Sequence, residues 1–220
     1  PPKDIQEKIV KEIEVLDKKE EKSRIEIEEF KKKIRNYLIS NGEYTRLKNI
    51  CKYSDERVNS SLLNSQNYVG VDNLLQNTKG KINSKFVPDS GTSTKYSIGD
   101  ILISNIRPYL KKIWFADING GCSNDVLVLQ TNKVIVNSKY VYYNLKQDEF
   151  FDYEMEKPKG IKMPRGDKHH IMEYSIALPS LSEQEKIVAQ IEEMEQKIDL
   201  LEKDIAEIPK LKAEILKKYL

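Results

Sequence analysis

Hydrophobic residues near both ends of the chain recur at alternating intervals of four and three positions. In the C-terminal segment seven apolar residues follow this spacing: Ile187, Ile191, Met194, Ile198, Leu201, Ile205 and Ile208. The N-terminal segment shows it at Ile9, Ile13 and Leu16 and again at Ile27, Phe30 and Ile34, with Glu20 and Ser23 at the intervening positions. A period of 3.5 residues predicts helices, each with a seam that packs against another helix. Each predicted helix has roughly 35 residues and is about 50 Å long.

The two ends of the chain also repeat each other. Pro1–Val10 and Pro179–Val188 share the run QEKIV. Each copy carries a predicted capping box at its start, formed by Asp4 with Glu7 and by Ser182 with Glu185. If the helices pair with each other they are antiparallel, because one enters the middle segment and the other leaves it. The alternative is that each seam packs on the middle segment separately.

Pro209 interrupts the second helical pattern near its end. A proline inside a helix removes a backbone hydrogen bond and collides with the preceding turn. We therefore predict a kink or a break there.

The middle of the chain mixes strand-like and helix-like patterns. Its strand-like runs are Tyr68–Val71, Ile101–Ile106, Ile113–Ala116, Val126–Gln130 and Tyr174–Ala177. Turn signals are Ser90-Gly91, Gly99-Asp100 and Asn119-Gly120-Gly121, the last as in a hairpin. Asn137 or Ser138 caps a predicted helix that continues through Tyr153.

These patterns predict an α+β fold. A curved, largely antiparallel sheet domain is flanked by two long helices that form an antiparallel coiled coil. The predicted domains are an N-terminal helix (1–40), the sheet domain (41–178) and a C-terminal helix (179–220).

Positive charge is concentrated in the middle of the chain. The formal net charge is +2, but residues 41–178 carry +4 against +1 for residues 1–40 and −3 for residues 179–220. A stretch without periodicity, Lys157–His170 (the basic segment), has five basic side chains and one acidic side chain. It favours binding to a polyanion, although an ordinary solvated basic loop has the same composition.

The candidate DNA-binding residues follow from this segment. They are Lys157, Lys159, Lys162, Arg165, Lys168 and His169, with Arg107 and Lys95 as second choices. Lysines suit phosphate contacts, whereas an arginine can bond two acceptors on a guanine edge. Arg107 is equally compatible with a structural ion pair within its strand.

The sequence supplies no recognisable catalytic or cofactor motif. Glycine-rich phosphate loops, methyl-donor motifs, a metal-dependent nuclease triad and a Gly-x-Ser-x-Gly elbow were not found. Cys51 and Cys122 are expected to be free thiols, and two cysteines with the adjacent His169-His170 pair are too few for a zinc site. We therefore predict no catalytic residues, no metal and no cofactor.

The location of the protein follows from its apolar runs. No stretch approaches eighteen apolar residues, and the first residues lack the apolar core of a signal peptide. We therefore expect no membrane span and a cytoplasmic protein.

Three segments resemble a known family. Gly99–Leu110 and Cys122–Leu129 are similar to the core of a target recognition domain of type I restriction–modification specificity subunits, and Leu178–Val188 resembles the start of that family's spacer helix. The resemblance implies a non-catalytic subunit that recognises double-stranded DNA. It also implies spacer helices paired as an antiparallel coiled coil, with methyltransferase (modification) subunits and a restriction/translocase subunit as partners.

The resemblance leaves several alternatives open. The family's subunits carry two recognition domains, whereas this sequence shows one domain and two helices. It is therefore compatible with part of a longer subunit, with a half-subunit that forms a homodimer, or with the C-terminal recognition domain of a fused restriction enzyme–methyltransferase. A coiled-coil scaffold that binds no DNA is a further alternative.

Overall fold

The computed structural model describes residues 1–39, 42–160 and 162–219. Ser40, Asn41 and Leu220, at which predicted domain limits fall, lie outside the described residues. The helices are α1 (Lys3–Ile39), α2 (Leu47–Ile50), α3 (Ser138–Leu145), α4 (Asp148–Glu154), α5 (Lys168–Met172) and α6 (Leu181–Tyr219). The strands are β1 (Glu43–Arg46), β2 (Cys51–Tyr53), β3 (Arg57–Asn59), β4 (Tyr68–Val69), β5 (Thr92–Tyr96), β6 (Ile101–Ser104), β7 (Ile113–Phe115), β8 (Gly120–Cys122), β9 (Val126–Thr131) and β10 (Ser175–Leu178).

The chain divides into two compact units. One combines Pro1–Tyr37 with Ala189–Leu220, and the other is Leu38–Val188. None of the helices in the described part of the chain combines the length and the apolar character needed to cross a membrane.

The helical unit is an antiparallel pair of α1 and α6. Apolar positions of the predicted seam are buried on both helices: Ile9, Ile27, Ile34, Ile191, Met194, Ile198 and Ile208. Ion pairs follow the antiparallel register, because Lys19 binds Asp204 at 2.8 Å whereas the earlier Asp17 binds the later Lys212 at 2.6 Å. Even the polar Ser23 is buried, as its seam position predicts. The predicted antiparallel pairing is confirmed.

The two capping boxes predicted for these helices are wrong, and so is a break at Pro209, whereas a kink there stays a prediction. α6 begins at Leu181, and the Ser180 hydroxyl accepts a hydrogen bond from the Glu183 backbone N–H at 3.4 Å, so Ser182 lies inside the helix. Asp4 likewise lies in the first turn of α1. Pro209 does not end α6, which continues to Tyr219. Contacts with α1 on both sides of the proline hold the helix together despite the lost backbone bond.

The Leu38–Val188 unit contains three sheets in its described part. A two-stranded sheet pairs β1 with β10, and the other two sheets have the orders β2-β9-β6-β7 and β3-β5-β8-β4. All pairings are antiparallel except that between β4 and β8. The two four-stranded sheets share a core that includes Val69, Leu74, Tyr96, Leu102, Trp114, Ala116, Cys122, Val126 and Val128. The strands are therefore largely antiparallel, as predicted.

The strand β6 is buried along its whole length, and so are the first four residues of β9. Continuous apolar runs of this kind are typical of strands covered on both faces. Helix α3 contacts β9. The Tyr140 hydroxyl of α3 donates to the Ala177 carbonyl of β10 at 2.8 Å and so connects the helix to the small sheet.

The predicted turn at Asn119–Gly121 is wrong. Gly120 and Gly121 belong to β8, which lies between β5 and β4. A Cβ atom on Gly121 would lie 2.7 Å from both Leu63 and Val58, so the glycine serves close packing there. Two adjacent glycines are typical both of a turn and of a tightly packed strand, so the sequence alone does not distinguish them here.

The predicted helix from Asn137 to Tyr153 is two helices. Asn137 caps α3, as predicted, by accepting from the Lys139 and Tyr140 backbone N–H groups. Gln147 then adopts an extended conformation, and α4 starts at Asp148 with two acidic residues in its first turn. Acidic side chains favour a helix N-terminus, which explains a new start at this point.

Glu154, at the end of α4, is a carboxyl group in the core. It is fully buried, and neither of its oxygens has a hydrogen-bond partner among the described residues. The Asn105 side-chain oxygen has the same property. A Cβ atom on Gly166 would lie 2.8 Å from Glu154 Oε1 and 3.0 Å from Asn105 Oδ1, so both oxygens adjoin that glycine. Burial raises the pKa of Glu154 to about 8, so the carboxyl is protonated at neutral pH.

The buried seam predicts the first mutational effect. Ile198 is 6% exposed on α6, whereas Leu200 on the same helix is 63% exposed. We expect Ile198→Ala to lower the free energy of unfolding by about 2–4 kcal/mol, because it leaves a cavity in the seam. The matched control Leu200→Ala should change it by less than about 0.5 kcal/mol. Urea unfolding followed by circular dichroism measures both, and equal losses would contradict the assignment of the seam.

The buried carboxyl predicts how stability depends on pH. The unfolded chain ionises Glu154 near its ordinary pKa of 4.5, whereas the folded protein keeps the proton up to about pH 8. The stabilisation is therefore complete below pH 4.5 and is lost as the pH rises towards 8, by at most about 1.4 kcal/mol per unit. Glu154→Gln removes this contribution, so unfolding titrations from pH 5 to 8 should favour the variant increasingly. Asp152→Asn is the exposed control on the same helix, and parallel wild-type and Glu154→Gln curves would refute the assignment.

Candidate nucleic-acid interface

The basic segment is attached to the rest of its unit by backbone hydrogen bonds. Lys159 and Arg165 donate N–H groups to each other's carbonyls, both at 2.8 Å, and so close a small loop. The Arg107 N–H donates to the Pro164 carbonyl at 2.8 Å, and the Gly166 N–H donates to the Asn105 carbonyl at 3.1 Å. The segment therefore lies against the residues that follow β6.

The end of the basic segment is helical. The basic segment lacks a helical periodicity in the sequence, but α5 begins within it at Lys168. The Asp167 carboxylate caps α5 by accepting from the His169 and His170 backbone N–H groups. Lys159 Nζ lies 2.9 Å from the same carboxylate and, together with the two backbone donors, lowers the pKa of Asp167 to about 2. A side-chain cap directly before a short helix outweighs the glycine and proline content of the segment.

The cations of the basic segment fall into two groups. All five are exposed. Lys157, Lys162 and Lys168 form no ion pair with an acidic side chain within residues 1–39, 42–160 and 162–219, and Lys168 Nζ lies 5.9 Å from the centroid of the Tyr53 ring. Lys159 and Arg165 do have acidic partners, Asp167 for the former and Asp125 for the latter. The first group can neutralise phosphates without losing an internal partner.

Arg107 is connected to the basic segment by a backbone hydrogen bond. It is exposed and adopts a left-handed conformation with φ of 52°. Its N–H holds Pro164 of the basic segment. The alternative of a structural ion pair has no support, because Arg107 has no such partner in the described part of the chain.

Lys95 is linked to the basic segment only indirectly. It lies on β5 and pairs with Glu56 at 2.7 Å, which raises the pKa of Lys95. Its carbonyl accepts from the Ser54 hydroxyl, and the neighbouring Tyr53 hydroxyl donates to the Lys168 carbonyl. Tyr53 at the end of β2 and Ser54 directly after it thus contact the two regions, but no bond joins Lys95 to the basic segment directly among the described residues.

The two histidines differ in exposure and in contacts. His170 stacks on Tyr153 with 3.9 Å between ring centroids, and its Nε2 lies 3.0 Å from the Tyr153 carbonyl. His169 is exposed. Of the pair, His169, the predicted DNA-binding residue, is thus the accessible one.

A polar network beside the basic segment escaped the sequence reasoning. Arg57 on β3 donates to Thr92, to Thr94 and to the Asn124 side-chain oxygen, the last at 3.0 Å. Asp125, the next residue, binds Arg165 through a carboxylate–guanidinium contact of 3.0 Å. These residues lie on different strands and turns, so no local pattern relates Arg57 and Asp125 to Arg165.

The cysteines and the possible metal ligands were examined in the sequence as sites of chemistry. Cys51 and Cys122 are buried free thiols, and burial raises both pKa values to about 12. Within the residues that the structure describes, no group of three or more His, Cys, Asp or Glu side chains is arranged to hold a metal ion.

Comparison with known proteins identifies relatives for most of the chain. Residues 39–210 match the model of the family described as type I restriction modification DNA specificity domain. The chain is 26% identical over 137 residues to the type I restriction enzyme EcoDI specificity subunit of Escherichia coli, a match that covers 60% of this chain and 30% of that subunit.

Solved structures show the same fold. The HsdS subunit from Thermoanaerobacter tengcongensis matches with a TM-score of 0.61 and 19% identity, over 100% of this chain and 59% of that one. The type I restriction–modification system S subunit from M. genitalium matches with a TM-score of 0.57 and 17% identity, over 99% and 61%. The chain thus spans about a third to three fifths of the length of these relatives. Because the family match covers well over half of the chain, the chain belongs to the family of type I restriction modification DNA specificity domains.

Proposed function

We propose that the chain recognises a short sequence in double-stranded DNA as the non-catalytic specificity component of a type I restriction–modification system. The observation that carries the proposal is the family match over residues 39–210, which includes the whole basic segment. In this proposal the basic segment and Arg107 contact DNA from the end of β6. Specificity components position other subunits, so the chain would direct methylation and cleavage without performing either.

The arrangement of charges supports this function. Lys157, Lys162 and Lys168 carry exposed ammonium groups on a segment whose backbone is fixed at Arg107 and Asn105. A fixed array of cations loses little conformational entropy when it meets phosphates. Release of counterions from DNA then makes binding strong at low salt and weak at high salt.

The proposal extends to partners and location. We propose that the paired helices α1 and α6 act as the spacer that methyltransferase (modification) subunits and a restriction/translocase subunit recognise, in the cytoplasm. A homodimer through the same helices is the alternative assembly. A fused restriction enzyme–methyltransferase would use the same recognition domain with its catalytic parts in one chain.

The decisive experiment is co-expression with the methyltransferase subunits of the same genome. We expect co-purification of the chain with those subunits and methylation of one defined sequence across the host DNA. The triple variant Lys157→Ala, Lys162→Ala and Lys168→Ala removes the three lysines of the basic segment that have no acidic partner. It should abolish that methylation while co-purification persists. Methylation that continues unchanged without these lysines would remove the segment from the interface, and absence of any duplex binding would favour the scaffold alternative.

The exposed charge of Lys162 should contribute to the salt dependence of duplex binding. We expect Lys162→Ala to weaken binding to all duplex sequences alike and to lower the slope of log affinity against log salt by about 0.9, the value for one phosphate contact. Lys22→Ala, an exposed lysine on α1, is the control. Fluorescence anisotropy with a labelled duplex at several salt concentrations measures both. A slope equal to that of the wild type would show that Lys162 does not contact a phosphate.

A further inference from the structure

Arg165 is the one arginine of the basic segment, and both sides of its backbone are fixed. Its N–H and carbonyl bond with Lys159, and the next N–H, of Gly166, bonds with the Asn105 carbonyl. A Cβ atom on Gly166 would crowd the side chains of Glu154 and Asn105, so the backbone of Gly166 lies directly against these two buried residues. A side chain that reads a base edge has to be held within about 0.5 Å, and these contacts supply that constraint.

Asp125 is fixed by Asn105, the residue that also binds Gly166. The Asn105 N–H donates to the Asp125 carbonyl at 2.8 Å, while the Asn105 carbonyl accepts from Gly166. The Ser123 hydroxyl accepts from the Asp125 N–H at 3.2 Å. The peptide groups of Asn105 thus set the distance between Arg165 and Asp125.

The turn that carries Asp125 has a second anchor. Asn124, one residue before it, accepts from the Arg57 guanidinium. Four hydrogen bonds occupy that guanidinium, so Arg57 serves to hold the turn against β5. The Arg57 side chain is exposed, but its hydrogen bonds within the protein make it a positioning group, whereas Arg165 and Asp125 contact each other.

The pair formed by Arg165 and Asp125 is open to a ligand. Their side chains are 49% and 42% exposed, and one Arg165 nitrogen lies 3.0 Å from Asp125 Oδ1. The guanidinium keeps further N–H donors, and Asp125 Oδ2 has no hydrogen bond within the described residues. A neutral pair gains less from a phosphate than the unpaired lysines do, because the carboxylate repels the phosphate charge. The pair is therefore suited to a neutral ligand with both acceptors and a donor.

We propose that Arg165 and Asp125 together read one G·C base pair in the major groove, an inference that rests on the proposed DNA recognition. Guanine presents the acceptors N7 and O6 on that edge, and cytosine presents the N4–H donor beside them. Arg165 donates to the guanine, and Asp125 accepts from the cytosine amino group. An A·T pair offers the donor and acceptors in a different order and leaves the carboxylate facing thymine O4 or the methyl group.

The experiment is selection of duplexes from a random-sequence library by the 220-residue chain, with sequencing of the bound fraction. The wild type should enrich a motif with G·C at a fixed position. Arg165→Gln and Asp125→Asn should each lower the preference at that same position by about tenfold or more and leave other positions unchanged. Glu173→Gln is the matched control, because Glu173 forms a similar exposed pair with Arg46 at 2.9 Å.

A chemical substitution separates direct reading from a structural effect. Replacing the selected guanine with 7-deazaguanine removes the N7 acceptor. It should weaken binding of the wild type about tenfold and change binding of Arg165→Gln little. Circular dichroism of each variant checks that it is folded.

The outcomes distinguish this inference from the proposed function. Variants that bind more weakly but select an unchanged motif, or that relax two different positions, would overturn the inference and leave DNA recognition standing. A selected motif whose affected position is A·T would overturn it as well. A wild-type chain that enriches no sequence and shows no salt-dependent binding would refute the proposed function itself.

Discussion

The backbone of Asn105 is the interaction on which the candidate interface depends. Its N–H holds Asp125 and its carbonyl holds Gly166, so the start of β9 and the basic segment are joined at the end of β6. Side chains from distant parts of the sequence become neighbours because the N–H and the carbonyl of one residue bind both partners. A solvated loop without such anchors would leave each cation free to move independently.

Beneath this junction the core is polar but uncharged. Glu154 and the Asn105 side chain adjoin Gly166, and the protonated carboxyl avoids the large cost of a buried, unpaired negative charge. A charged carboxylate at this place would also attract the lysines towards the core. The neutral support therefore leaves the cations of the basic segment available on the surface.

The sequence predicted those parts of the fold that depend on local periodicity. The seam of α1 and α6 follows from a repeat of 3.5 residues, and the buried strands β6 and β9 follow from continuous apolar runs. The prediction failed where one signal has two physical meanings, as at Gly120-Gly121. At Pro209 the alternative of a break is wrong, because α6 continues to Tyr219. The basic segment was recognisable from its composition, but the pairing of Arg165 with Asp125 was not, because it depends on strand register. The assignment of individual residues to DNA contacts stays a prediction.

The central claim is that the attached basic segment is what binds duplex DNA, and one substitution tests it directly. Gly166→Ala would place a methyl group against Glu154 and Asn105 and would lift the segment away from them without removing any charge. The measurement is the affinity of this variant for a duplex at fixed salt, with its folding verified by circular dichroism. The account predicts a loss of affinity of about tenfold or more in a folded protein, in the range of one lost recognition contact. A folded variant that binds duplex DNA as tightly as the wild type would contradict it.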